Sequence, residues 1–292
     1  MSKKKAKPVL LKGRVLADRL FASLKVEVAK LRKKTGKVPS LANIRIGENY
    51  SVSLYEKAQK RHAENIGIIY RGYHLGPHAT QGQVERLIQR LNRDKSVTGI
   101  IVQVPLPKQL NPRQTIYAID PRKDIEGIHP ENLGKAILGK EEYGSCTAIA
   151  IMKLLTAYHV KLYGKEAVIV GSSDVVGKPT SLMLADAFAT TTICHIATTE
   201  RGNLKQHVRR AEILVAAAGR PHLIKGNWIQ EGAVVIDAGI NQYKGRLVGD
   251  VEFEVAKKRA SYITPVPGGV GPVVPAVLMQ KLVACFKRQQ ER

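Results

Sequence analysis

The chain has 292 residues, 44% of them hydrophobic: enough for one large or two modest domains around a real core, and incompatible with a disordered polymer. Its net charge of +23 is the anomaly, but the lysines and arginines are scattered and lack interleaved aromatics. That pattern disfavours nucleic acid as the main partner and favours a basic cleft for an anionic substrate.

In chain order, "MSKKKAKPVL" reads as a solvated tail, lacking the apolar segment of a secretory signal. Residues 15–34 carry Val15, Leu16, Leu20, Leu24, Val28 and Leu31 at helical spacing. "LANIRIG" (41–47) alternates and reaches a glycine, as a strand does. Residues 51–66 read as a helix closed by Gly67, "GIIYRGYHL" as a second strand, and 80–94 as a helix with Val84, Leu87, Ile88 and Leu91 on one side. "VTGIIVQVPLP" (97–107) is a buried strand running into a proline-rich turn. Near 140–150 the alternation restarts, and "TTICHIA", "EILVAAAG", "AVVIDAGI" and "ITPVP" are further short strands. Alternating strand and helix predict parallel sheets covered on both faces, in two α/β units. The last helix follows the second unit and is expected to pack back on the first.

No apolar run approaches the roughly 18–20 residues of a membrane span. Cys146, Cys194 and Cys285 fit no zinc spacing, and their odd number argues against a disulfide framework, so no metal and a reducing cytoplasm are expected.

Two stretches carry chemistry. "VIVGSSDVVGKP" puts Gly171 after a strand and Gly177 near a helix start, where backbone can approach a phosphate and the helix supplies N–H groups. The spacing is not G-x-G-x-x-G, so a plain strand-to-helix turn stays open as a reading. Ser172 and Ser173 add hydroxyls, and Asp174 is a candidate helix cap. "PVPGGVGP" (265–272) is a rigid loop with exposed amides that can lie flat against a ring.

These strings, with "IGENYSVSLYEKAQKRHAENIGI", "GIIVQVPLP", "RKDIEGIHPENLGKAILG", "SCT", "VIDAGIN" and "VGDV", run collinear from about residue 10 to 285 with one pattern. The chain resembles the bifunctional methylenetetrahydrofolate dehydrogenase/methenyltetrahydrofolate cyclohydrolase family. The resemblance implies two α/β domains with a cleft between them. Residues 1–146 would form a folate-binding catalytic domain, with a C-terminal helix at 274–292 returning to it. Residues 147–273 would form a Rossmann-like NAD(P)-binding domain. It also implies a cytoplasmic homodimer acting on tetrahydrofolate derivatives, polyglutamylated forms included, with NADP or NAD as cofactor. Hydride leaves 5,10-methylenetetrahydrofolate, and water then opens the methenyl cation to 10-formyltetrahydrofolate.

By that resemblance the catalytic positions are Tyr55, Gln59 and Gln103, and the substrate positions Glu126, Gly271 and Pro272. The cofactor positions are Gly171, Ser172, Ser173, Val176, Gly177, Ile196 and Ile240. Departures from the family pattern carry information. Its Tyr-x-x-x-Lys is Tyr55-x-x-x-Gln59 here, and an amide neither gains nor loses a proton near neutral pH. Lys57 and Lys60 lie on other helix faces; His62 shares the face and is a candidate substitute. The pterin-binding carboxylate is Glu126 in place of aspartate, and Val274 stands where the family has threonine. Ser172 and Ala197 stand where many members clamp the 2′-phosphate with arginine, leaving Arg201 and Lys178 as candidates. The expectation is an enzyme that passes a hydride and adds water poorly. The alternatives are a non-catalytic paralogue binding a nucleotide or polyanion, and a dehydrogenase for another pterin carrier.

Overall fold

The computed structural model describes residues 8–291; the lysine-rich start, at residues 1–7, lies outside the described residues, as does Arg292. In chain order the elements are β1 (Val9–Leu10), α1 (Gly13–Thr35), β2 (Ser40–Ile46), α2 (Tyr50–Asn65), β3 (Ile69–Leu75), α3 (Gln81–Arg93), β4 (Gly99–Val102), α4 (Pro112–Tyr117) and α5 (Pro130–Ile137). There follow α6 (Cys146–Ala157), β5 (Glu166–Val170), α7 (Gly177–Asp186), β6 (Thr190–Cys194), α8 (Ile196–Glu200), α9 (Leu204–Arg210) and β7 (Ile213–Ala216). The last are β8 (Val234–Asp237), β9 (Asn241–Tyr243), β10 (Arg246–Val248), α10 (Phe253–Ala256), β11 (Tyr262–Ile263) and α11 (Val273–Gln290).

The chain forms two compact units. One holds Asp18–Lys135, Glu142–Cys146 and the chain from Pro275 onward. Its sheet has the order β3-β2-β4, all parallel, with Ser40 opposite Ile69 and Leu41 opposite Gly99. Ala42, Ile44 and Ile46 of β2 and Ile100 and Val102 of β4 meet Val84, Ile88 and Leu91 of α3 in one core. The local sequence explains α3: Thr80 and Gln83 make a reciprocal capping box, and the apolar residues recur on one face. Helix α11 is fastened to this unit by Cys285, whose thiol donates to Arg122 O at 2.8 Å, and by Gln289, whose amide donates to Thr98 O at 2.9 Å.

The other unit holds the described residues up to Ala17, Ala136–Glu141 and Thr147–Val274. Its six-stranded parallel sheet has the order β1-β11-β8-β7-β5-β6. From β5 the chain goes outward to β6, then returns to the other side for β7, β8 and β11. The order therefore reverses at β5, the kind of point where open α/β sheets bind ligands. Hairpin β9–β10 stands apart as a two-stranded antiparallel pair.

Two differences from the sequence reading have plain causes. Residues before Asp18 were expected with the three-stranded unit, yet Val9 and Leu10 pair with Tyr262 and Ile263, adding β1 to the six-stranded sheet. A two-residue strand carries no periodicity to announce it. "ITPVP" is a strand only at its first residue, because Pro265 and Pro267 have no N–H to give a ladder.

Candidate functional site

In the three-stranded unit, Asn49 caps α2 by accepting from Val52 N at 3.2 Å, and Gly67, with φ of +85°, follows its end. Tyr55 and Gln59 are one turn apart and share a face. Gln59 is buried, with 2% of its surface exposed. Its Oε1 accepts two bonds of 2.9 Å, from Asn43 Nδ2 on β2 and from Gln103 Nε2 just past β4. Two donors on one oxygen fix which way the amide points and turn its N–H groups the other way. Tyr55 is the open member, 42% exposed, yet the protein around it pushes its phenol up to about 12. Burial dominates, the nearby Glu126 charge adds, and the Gln59 hydrogen bond opposes. The phenol is therefore neutral over the whole physiological range. Asn43 Oδ1 is buried without a partner.

Lys57 and Lys60 both lie on the solvent side, and Lys60 stands 3.9 Å from Glu64. His62 stacks flat on Phe21, ring centroids 4.5 Å apart, so its ring is occupied in packing α2 against α1.

The turn between α4 and α5 is organised by Asp124. Its carboxylate accepts from the backbone N–H of Gly127, Ile128 and His129 and from Asn132 Nδ2, at 2.9 to 3.0 Å. Gly127 has φ of +74°, and a methyl group there would collide with Lys281 Nζ and with the Tyr143 and Gly144 carbonyls. Glu126, half-buried on this turn, has its carboxyl pushed up to about 8, by burial first and Asp124 second, with Lys281 opposing. The Glu126 backbone carbonyl accepts from Cys146 N at 3.0 Å.

In the six-stranded unit, a cavity of about 330 Å³ opens at the carboxyl ends of β5, β6 and β7. Gly171, Ser172, Ser173, Ile196 and Arg220 are among its walls. Gly171, at φ of +130°, has room for no side chain against Ala217 O, and Gly177 packs directly on Gly171 O. These glycines close the turn on itself and leave the cavity floor as backbone. Ser173, not Asp174, serves the start of α7: its Oγ accepts from Val176 N at 3.1 Å, while Asp174 pairs with Lys178 at 2.6 Å. A carboxylate one residue later finds the lysine one turn on instead. Val176, Gly177 and Ile240 do not line the cavity; Ile240 is 65% exposed, and its tip would lie 3.9 Å from a methyl placed on Gly271. Pro272, next along the 265–272 loop, is half-buried. The loop is pinned to Gly13, whose N–H donates to Gly268 O at 2.9 Å.

Sequence reasoning missed several supporting residues. Asp250 accepts from Ala218, Gly219 and Arg220 N–H and from Asn241 Nδ2, and so shapes the cavity wall after β7. Asp237 accepts from Gly239, Asp250 and Val251 N–H. Both lie in "VIDAGIN" and "VGDV", strings whose polar residues invited a role. Asn43 was signalled by a polar residue inside an apolar strand, and Lys281 by a lysine inside "PAVLMQKLVACF".

The chain matches two family models, described as tetrahydrofolate dehydrogenase/cyclohydrolase, catalytic domain, over residues 11–126, and the NAD(P)-binding domain of the same family over residues 145–290. It is 44% identical over 274 residues to the bifunctional protein FolD 2 of Myxococcus xanthus, covering 93% of both chains. The crystal structure of bifunctional FolD from Campylobacter jejuni is 41% identical, with a TM-score of 0.92 over 96% of this chain and 99% of that one. The Trypanosoma brucei enzyme, solved with NADP and an inhibitor, is 36% identical, with a TM-score of 0.94 over 99% of this chain and 100% of that one. With both halves matched, and with relatives this similar along nearly its whole length, this chain belongs to the tetrahydrofolate dehydrogenase/cyclohydrolase family.

Proposed function

We propose that this protein oxidises 5,10-methylenetetrahydrofolate to the methenyl cation with NAD(P)+, and that the following hydration to 10-formyltetrahydrofolate is its slow step. The observation that carries this reading is the Gln59 amide, held by Asn43 and Gln103 one helical turn from Tyr55. In this reading Tyr55 lies along the substrate and keeps its proton. Gln59 orients substrate through its N–H groups, and Glu126 grips the amino-amide edge of the pterin, a bidentate pairing that suits a carboxylate. None of these groups has to move a proton for a hydride to leave, and orientation supplies much of the barrier reduction. Hydration is different: attacking water must lose a proton, and no Gln59 amide can accept it.

The nucleotide turn fits a dinucleotide. The backbone floor at Gly171–Ser173 and the serine hydroxyls suit a pyrophosphate, at the strand where the sheet order reverses. When bound there, the nicotinamide accepts the hydride; Gly271, Pro272 and Ile240 would limit where its ring and the substrate lie. Arg220 is on the cavity wall, where a guanidinium suits a phosphate.

Purified protein given methylenetetrahydrofolate and each dinucleotide should accumulate methenyl absorbance. Hydrolysis of added methenyltetrahydrofolate far above the spontaneous rate would overturn the slow-hydration half of the proposal. No dinucleotide reduction under any condition would overturn the rest.

We further infer a homodimer in a reducing cytoplasm. Strand β3 is a seven-residue free edge of its sheet, and the three cysteines are buried free thiols. No helix among the described residues is long and apolar enough to cross a membrane. A sedimentation measurement giving the monomer mass at assay concentrations would remove the dimer.

A further inference from the structure

Lys281 is a buried ammonium, 9% exposed, in the middle of the apolar helix α11. Its Nζ donates to the Gly144 carbonyl and, at 3.4 Å, to that of Tyr143, and it lies against the bare face of Gly127. Taking an ammonium out of water costs several kcal/mol, which two carbonyls alone do not justify. A neutral amide such as glutamine could donate to both.

The surroundings show which group needs the charge. Asp124 is already served by three backbone N–H groups and Asn132, and does not require a cation. The Cys146 thiol, at the start of α6, is pushed up to about 12 by burial and stays neutral. The Tyr55 phenol of α2 is neutral as well. Arg288 and Lys135 are drawn to the Tyr143 ring. Glu126 remains: it directly precedes Gly127, against whose bare face Lys281 Nζ lies, and Lys281 favours its ionisation against burial and Asp124.

We propose that Lys281 is a positioning residue for the folate substrate: from the last helix its buried ammonium favours the carboxylate form of Glu126 that pairs with the pterin edge. This rests on Glu126 being the pterin-binding group. The pterin edge presents two N–H donors; a carboxylate offers two acceptors, whereas a protonated carboxyl offers one acceptor and an unwanted donor. Lys281 therefore sets the pH above which substrate binds well.

The test is the pH profile of the methylenetetrahydrofolate KM, from about pH 6.5 to 9.5, in the dehydrogenase assay. Wild type should show KM falling as pH rises through about 8, the pKa at which Glu126 ionises. In Lys281→Gln the limb should move up by about one unit. KM then rises about tenfold near pH 7 and converges on wild type at the alkaline end, with KM rather than kcat carrying the change. Lys281→Arg should restore the wild-type position. A KM raised by the same factor at every pH, or not raised at all, would show Lys281 to be a structural pin and overturn the proposal. Should Lys281→Gln fail to fold, Lys281→Met carries the same measurement. Glu126→Gln separates the layers. If it keeps wild-type KM and the limb, the reading of Glu126 is wrong. If it abolishes the limb while Lys281→Gln leaves it unmoved, only the role of Lys281 falls.

Discussion

In the proposed reading, the single side chain of Gln59 decides the reaction's second half. Its oxygen is engaged by Asn43 and Gln103, and a lysine in its place could not accept from either. Both neighbours are amides, however, and each can turn over to present oxygen to an ammonium. The buried and unpartnered Asn43 Oδ1 would then gain a donor. Gln59→Lys should therefore fold and raise methenyltetrahydrofolate hydrolysis by about a hundredfold or more, the usual scale of a positioned acid–base group. Stopped-flow loss of methenyl absorbance reads it directly. Glu126 yields a second expectation, on stability. Its folded pKa, about 8, lies above the ordinary 4.5, so its contribution to stability is complete below 4.5 and is lost as pH rises through 8. Glu126→Gln carries no such loss. Melting of the ligand-free proteins should show the variant gaining on wild type between pH 4.5 and 8, then holding a constant lead.

Among the elements, the turns matter more than the strands they join. Asp250 binds three consecutive N–H groups after β7 and so holds Arg220 at the cavity proposed for the dinucleotide. Asp250→Asn exchanges part of that acceptor for a donor that faces other donors. The dinucleotide KM should rise about tenfold while the folate KM stays near wild type, a split that initial-rate kinetics resolves. In α3 buried packing adds to the polar cap that starts it. Ile88 is fully buried, and Ile88→Ala should cost about 2–5 kcal/mol by urea unfolding. The amphipathic spacing of α3 made this helix legible in advance. The Asp250 loop was not, because its hydrogen bonds join residues some 30 apart, and no local spacing records them.

For the molecule as a whole, the net charge of +23 is the property still to be used. A basic surface attracts anions over roughly 8 Å at physiological ionic strength and hardly at all in strong salt. If polyglutamylated folates are its substrates, their KM should rise with added salt several-fold more than that of the monoglutamate. Steady-state assays at two ionic strengths give the comparison, and equal salt dependence would remove charge from the account.

The sequence by itself determined the two α/β units, the parallel strands, the glycine turn and the substitution at Gln59. All follow from local periodicity, from glycine chemistry and from a collinear family resemblance. Only the tertiary structure decided that His62 is occupied by Phe21, that Ser173 and not Asp174 serves α7, and that β1 joins the six-stranded sheet. It alone brought Lys281 beside a turn more than 130 residues earlier, onto the Gly144 carbonyl. The physical reason is the same in each case. A side chain's charge state and partner depend on which other chain segments exclude water from it, and those segments are neighbours in space long before they are neighbours in sequence.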